Sequence, residues 1–367
     1  NASCVREPRG VSIRPPAFGN TTSFDQLNPQ YPFGPREELF LGLTNALKAA
    51  FGGNYYREGE TLRGAPYDWR KYGDECYTTD YFARLAGLVE ETALRNSRPV
   101  TLVCHSMGCN VAHFFLATFV SDDWKSRFVD RLLALAPSFA GAPVALHNYL
   151  FGTPYDFVPG FASVFRYWPS LSVLLPFELS SRKGDDTLRV WDKTTFLAAQ
   201  DRNYTGTTGT GDADAANHTD HTDHTDHTDV VAAILSRAAR DERKRPGLGV
   251  ASAHFWPEQG AYMRSKLVDN GPGVPTHCLY LSQVPTMLGM KVKGDDLEEL
   301  AGSFVGAGDG DVVAASVEKA CRVWNTLPSG HPSVVCEEVA TKKFADHQSM
   351  LWAPEIVRRV LELVGET

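Results

Sequence analysis

A run of apolar and β-branched positions at Val100-Thr101-Leu102-Val103 reads as a buried strand. It stops at Cys104-His105-Ser106-Met107-Gly108, and apolar residues return at helical spacing in Val111, Phe114, Phe115 and Phe119. Further runs at Phe128–Ala136, Thr276–Leu281 and Ser333–Val339 predict three more strands. Helical spacing marks Glu37–Phe51 (Leu39, Leu43, Leu47), which closes on Gly52-Gly53. It also marks Tyr81–Leu94 (Leu85, Leu88, Val89) and a terminal helix carrying Ile356, Val357, Val360, Leu361 and Val364. A short strand at Gly10–Arg14 runs into a loop punctuated by Pro15, Pro16 and Gly19. Strands alternating with helices predict an α/β fold: a mostly parallel central sheet covered by helices on both faces.

The alternation fades between residues 144 and 271, where aromatic and Pro-rich stretches such as Tyr167-Trp168-Pro169 and Leu174-Leu175-Pro176-Phe177 take over. This divides the chain into a first core segment (1–143), an inserted cap or lid (144–271) and a second core segment (272–367). Within the cap, His218, His221, His224 and His227 repeat every third residue in a Gly/Thr/Ala/Asp-rich setting. Residues 206–250 are therefore expected to be a disordered low-complexity insertion rather than a metal site. Gly306–Val313 is expected to be an acidic, Gly-rich loop.

A net charge of −8 argues against nucleic acid as a partner. No uninterrupted apolar run reaches the roughly 18 residues that a spanning helix needs. The chain starts at Asn1 without Met, as expected of a processed or trimmed product. Seven cysteines are too few for a disulfide scaffold, and the odd number leaves at least one free thiol. Sequons at Asn1, Asn20, Asn203 and Asn217 favour a secretory route and a glycoprotein.

The strand–turn–helix at Ser106 has the form of a nucleophile elbow, G-x-S-x-G, with Cys104 in place of the first glycine. A serine hydroxyl is a poor nucleophile until an imidazole takes its proton, and the imidazole in turn needs a carboxylate to fix its tautomer. His347 follows the last strand, and an acid on the Gly306–Val313 stretch precedes it, so the chain order is Ser…Asp…His. By position alone, either Asp309 or Asp311 reaches the histidine.

Several strings together resemble the lecithin:cholesterol acyltransferase and lysosomal phospholipase A family of α/β-hydrolases. They include Arg14–Thr21, Arg63-Gly-Ala-Pro-Tyr-Asp-Trp-Arg70, His105-Ser-Met-Gly108, Cys278-Leu-Tyr280, Gly308-Asp-Gly310 and His347-Gln-Ser-Met350. The chain departs from the family in beginning downstream of most of its N-terminal sequence and in carrying the histidine repeat. The resemblance implies a serine acyl hydrolase and O-acyltransferase on glycerophospholipids, with Ser106 as nucleophile, His347 as base and Asp309 as acid. It implies an oxyanion hole from the backbone N–H groups of Phe18 and Met107, and a Cys278–Cys321 disulfide. Cys109 is expected to be a free thiol, and Cys4, Cys76 and Cys336 stay unassigned. No cofactor or metal is implied. The expected partners are a phospholipid membrane or lipid-particle surface, a lipid acyl donor and an acceptor, in an extracellular or lysosome-like compartment. The alternatives are a sterol or diacylglycerol acyltransferase, and a catalytically silent lipid-binding protein on the same fold.

Overall fold

The computed structural model describes residues 9–10, 13–25, 38–151, 168–176, 180–181, 187–189, 263, 270–293, 299–327 and 331–365. The histidine repeat, the rest of the 206–250 segment and most of the expected cap lie outside them.

Four parallel strands form the central sheet: β1 (Val100–His105), β2 (Val129–Leu135), β5 (Thr276–Tyr280) and β8 (Val334–Glu338), in the order β1-β2-β5-β8. Successive side chains of a strand point to opposite faces, and both faces of this sheet are buried. From β2, Leu132 and Ala134 enter one core while Leu133 and Leu135 enter the other. From β5, Cys278 and Tyr280 take the first face, and Leu279 the second. Burial on both sides is why these strands read as continuous apolar runs rather than alternating ones.

The first face is covered by α2 (Glu75–Asn96), α3 (Met107–Thr118) and a helix at Ala314–Asn325. They pack Tyr81, Phe82, Phe115 and Trp324 against the sheet. The second face takes α1 (Leu41–Ala49) through Leu43 and Leu47, and the terminal helix Pro354–Gly365 through Ile356, Val360, Leu363 and Val364. Two of these helices differ from the periodicity at their ends. α2 begins six residues before Tyr81, because the Asp74 carboxylate caps the Tyr77 N–H at 2.7 Å. α1 begins at Leu41 rather than Glu37.

A second, antiparallel sheet has the order β3-β4-β6-β7 and uses Ser180–Ser181, Thr187–Arg189, Gln283–Lys293 and Glu299–Asp309. The sequence reading placed 272–367 wholly in the core; the β6–β7 hairpin instead leaves the core after β5 and pairs with strands from the cap segment. Gly306 to Asp309 is accordingly strand, not loop, and only the stretch from Gly310 turns back. Gly308 is required there: a Cβ would collide with the Thr286 side chain of β6.

The disulfides also correct the reading. The structure bonds Cys321 to Cys336, not to Cys278, which is a buried free thiol. The parallel β5–β8 register sets Cys278 opposite Cys336, and Cys321 comes down on the same spot. The three sulfurs lie within 4.8 Å of one another, so Cys336 competes for the bond that the family resemblance assigns to Cys278. Cys109 is not free either. It is bonded to Cys104, with Cα atoms 4.9 Å apart, a separation that a disulfide spans readily. Cys76 is disulfide-bonded to a partner outside the described residues. Non-reducing peptide mapping is expected to recover Cys104–Cys109 and Cys321–Cys336 peptides, with Cys278 alkylated only after unfolding.

Phe115 has no exposed surface and lies against Phe82 and Trp124 at ring distances of 5.4 and 5.6 Å. Phe115→Ala is expected to lower stability by about 3–5 kcal/mol, read from urea unfolding midpoints.

Candidate active site

Ser106 stands where β1 ends and α3 begins, at φ 53° and ψ −131°. Such a conformation costs a non-glycine residue about 1–3 kcal/mol and persists only where its surroundings hold it. Here the Ser106 N–H donates to the Leu135 carbonyl of β2 (3.0 Å), and the Ser106 carbonyl accepts from the Cys109 N–H (3.0 Å). The Cys104–Cys109 bond ties the strand end to the first turn of α3. One turn further, Asn110 and Ser138 exchange two hydrogen bonds of 2.9 and 3.0 Å, fixing α3 to the chain after β2. The sharp turn lifts the Ser106 hydroxyl off the sheet.

There it meets His347. The hydroxyl donates to His347 Nε2 at 2.7 Å, and His347 Nδ1–H donates to Asp309 Oδ2 at 2.8 Å. The other oxygen of Asp309 accepts from the backbone N–H groups of Val312 (2.7 Å) and Asp311 (3.1 Å). Every oxygen of this buried carboxylate is therefore engaged. Asp309 rather than Asp311 makes the hydrogen bond to His347.

Burial pushes the His347 pKa down, but the Asp309 hydrogen bond and the charges of Asp309, Asp311 and Asp346 more than offset this. The group titrates above the ordinary histidine value. Asp311 is itself raised, first by desolvation, against the favourable charge of His347.

Sequence reasoning missed the role of His105. Its Nε2–H donates to the His347 carbonyl at 2.8 Å, and the two rings lie 4.7 Å apart. Burial, and then the nearby His347 charge, push His105 down to about 3, so it is a neutral donor at any working pH. With the His347 N–H bonded to the Asp309 carbonyl at 2.7 Å, the backbone of the base is clamped on both sides. A histidine directly before the serine was visible in the motif, but the partner 242 positions away was not.

The Arg63–Arg70 string supports this site rather than entering it. Gly19 N–H donates to the Gly64 carbonyl at 2.7 Å, and Arg63 Nε donates to the Gly19 carbonyl at 3.0 Å. A side chain at position 64 would strike the Asn20 carbonyl, which is why glycine stands there. Asp68 and Arg70 form a two-pronged ion pair at 2.8 and 2.7 Å. Phe18, on the loop so held, packs edge-on to Tyr81 under the Arg84 guanidinium. Met107 is the first residue of α3, and its N–H has no acceptor among the described residues.

A hydrogen-bonded serine, histidine and aspartate at the carboxyl end of a parallel sheet, with the serine on a strained strand-to-helix turn, make this an α/β-hydrolase. Comparison with known proteins narrows the class. The chain belongs to the lecithin:cholesterol acyltransferase family, which it matches over residues 1–354. Phosphatidylcholine-sterol acyltransferase of Homo sapiens is 35% identical over 142 residues, which are 39% of this chain and 30% of that protein. Lysosomal phospholipase A and acyltransferase of Bos taurus is 34% identical over 139 residues, 38% of this chain and 32% of that one. The aligned stretches thus span about a third of the length of these relatives. Among solved structures, the Tle4–Tli4 complex aligns over 82% of this chain and 67% of that chain, at 14% identity and a TM-score of 0.49.

The raised pKa sets the pH response. A base must be neutral to take the serine proton, so turnover is lost as pH falls through the His347 pKa. The acid limb of kcat/KM is expected to have its midpoint above pH 6.5, the ordinary value. Asp311→Asn is expected to keep most activity and move that limb to lower pH, by removing a charge that favours the imidazolium. Asp309→Asn is expected to cost several orders of magnitude in kcat. The reverse ranking of the two variants would contradict the geometry.

Proposed function

We propose that this protein is a serine acyl hydrolase and O-acyltransferase acting on glycerophospholipids. The observation that carries the reading is the continuous Ser106–His347–Asp309 hydrogen-bond chain in a member of this family. A silent lipid-binding protein has no need of a serine held against strain within 2.7 Å of an oriented imidazole.

The chemistry follows from the contacts. His347 Nε2 takes the Ser106 proton as Oγ attacks the ester carbonyl carbon of the donor lipid. The imidazolium that forms is stabilised by Asp309 through Nδ1–H. The backbone N–H groups of Met107 and Phe18 are the proposed donors to the developing oxyanion. The unpaired N–H at the start of α3 supports the first, and the Gly19–Gly64 and Arg63 bonds that brace the Phe18 loop support the second. His347 then protonates the leaving lysophospholipid oxygen, and Ser106 carries the acyl group as an ester. In the second half, His347 deprotonates an incoming hydroxyl, which attacks the acyl-serine and releases the chain. Water gives a free fatty acid; a sterol or other lipid alcohol gives an ester.

The names of the two relatives cover both outcomes. The spellings Arg63-Gly-Ala-Pro and His105-Ser-Met-Gly incline the reading to deacylation, with transfer to lipid alcohols as a secondary activity. We place the protein in the secretory pathway, outside the cell or in a lysosome-like compartment. Its disulfides call for oxidising conditions, and one relative is lysosomal by name. Among the described residues, no helix is long and apolar enough to cross a membrane, so contact with lipid is proposed to be peripheral.

Vesicles of acyl-labelled phosphatidylcholine, with and without sterol, provide the test. Free fatty acid is expected without any added acceptor, and Ser106→Ala is expected to abolish it by about three orders of magnitude or more. Ester dominating over free acid whenever sterol is present would replace this reading with sterol acyl transfer. Full release by Ser106→Ala would remove the serine mechanism altogether.

A further inference from the structure

Phe344 is the most exposed large apolar side chain among the described residues, at 79%. A single exposed ring is ordinary on a protein surface; its setting here is not. Lys342 and Lys343 precede it directly, both exposed, and His347 lies three residues beyond. The three form a tip between two anchored ends. On one side, the Thr341 N–H and hydroxyl both donate to Gln283 Oε1, at 3.3 and 3.0 Å. On the other, Ala345 is buried in the core, and the Asp346 carboxylate accepts from the Ser349 N–H at 2.8 Å. The tip is therefore presented by a braced loop.

Neither lysine of the tip lies in an ion pair among the described residues. Lys48, Lys71, Lys125, Arg70, Arg131 and Arg359, by contrast, each lie against a carboxylate. On a chain of net charge −8, an anionic surface is repelled overall, so a local pair of uncommitted ammonium groups directs which face approaches it. The tip lies at the carboxyl end of the sheet, the end that carries Ser106. A second exposed ring, Trp69 at 47%, stands two residues beyond Tyr67, whose hydroxyl comes within 4.0 Å of where a Gly108 Cβ would lie.

We propose that Lys342-Lys343-Phe344 is a docking tip for an anionic phospholipid surface. The lysines engage lipid phosphates, and the Phe344 ring enters the headgroup–acyl boundary. This seats the mouth of the site against the layer that holds its substrate, and in that respect it rests on the phospholipid reading above.

The test separates binding from chemistry. Diether phosphatidylcholine vesicles, with or without 30% diether phosphatidylglycerol (about 30% by design, chosen to give a strong surface potential), cannot be hydrolysed at an ester bond. Co-flotation of the full chain measures affinity. Lys342→Gln/Lys343→Gln is expected to weaken binding to the anionic vesicles roughly 30-fold, at about a tenfold loss per 1.4 kcal/mol and about 1 kcal/mol per lysine, with little change on pure phosphatidylcholine. Phe344→Ser is expected to weaken binding to both. Hydrolysis of a monomeric soluble ester, p-nitrophenyl butyrate, is expected to be unchanged in all variants, which confirms that each is folded. Equal binding of wild type and variants to anionic vesicles overturns the proposal. So does a concentration-dependent dimer that Phe344→Ser abolishes, because the tip is then a self-association face. Loss of soluble-ester turnover in the wild type, with docking intact, strikes instead at the acyl hydrolase reading.

Discussion

The left-handed backbone of Ser106 is the constraint on which the site depends. A residue with a side chain resists φ 53°, and the turn exists only because four separate contacts hold it. Leu135 accepts its N–H, the first turn of α3 closes on its carbonyl, Cys104 bonds across to Cys109, and Asn110 locks the helix to Ser138. The disulfide occupies a place where small residues are normally needed. The half-cystine at Cys104 is tolerated because its side chain turns into the bond with Cys109 rather than into the strand–helix contact. Strain at one residue is thereby distributed over β1, β2 and α3, and the hydroxyl emerges with a fixed direction.

His347 and Asp309 come to that hydroxyl from two different sheets. His347 comes from the loop after β8, at the edge of the parallel sheet, while Asp309 ends β7 in the antiparallel one. Their meeting depends on how closely the β6–β7 hairpin is held together. Gly308 lies against Thr286 with no room for a side chain, and the Thr286 hydroxyl accepts the Gly310 N–H at 2.7 Å. The Ala314–Asn325 helix then carries the chain back to the core, with Ser316 bonded to the Ala140 N–H and the Gly141 carbonyl. A shift in the register of the β6–β7 hairpin would move the carboxylate away from His347, so the antiparallel sheet sets the position of Asp309.

His105 shows how one residue joins these parts. It belongs to β1, packs edge-on to Phe40 near the second core, and grips the backbone of His347. Because burial keeps it neutral, the clamp does not titrate with the base it positions.

Local pattern was enough for the central sheet. Val129–Leu135 and Thr276–Tyr280 are apolar without interruption because both faces are covered, and the Ser106 turn shows in the abrupt switch from strand to helix spacing. The order Ser, Asp, His was legible because Ser106 and His347 each follow a recognisable strand and Asp309 stands in the acidic, Gly-rich string between them. Tertiary structure alone decided the rest. The β6–β7 hairpin is rich in glycine and lysine, and its strands are defined by pairing with each other rather than by a buried periodicity. Asp309 and Asp311 are equivalent on a string; only the fold around the turn at Gly310 brings the Asp309 carboxylate onto His347. Disulfide partners follow spatial proximity, which composition does not encode. Cys104 and Cys109 meet because a helix begins between them, and three cysteines converge where β5, β8 and a helix cross. Sequence determines which local conformations are cheap, whereas a contact between residues hundreds of positions apart exists only once packing has chosen among them.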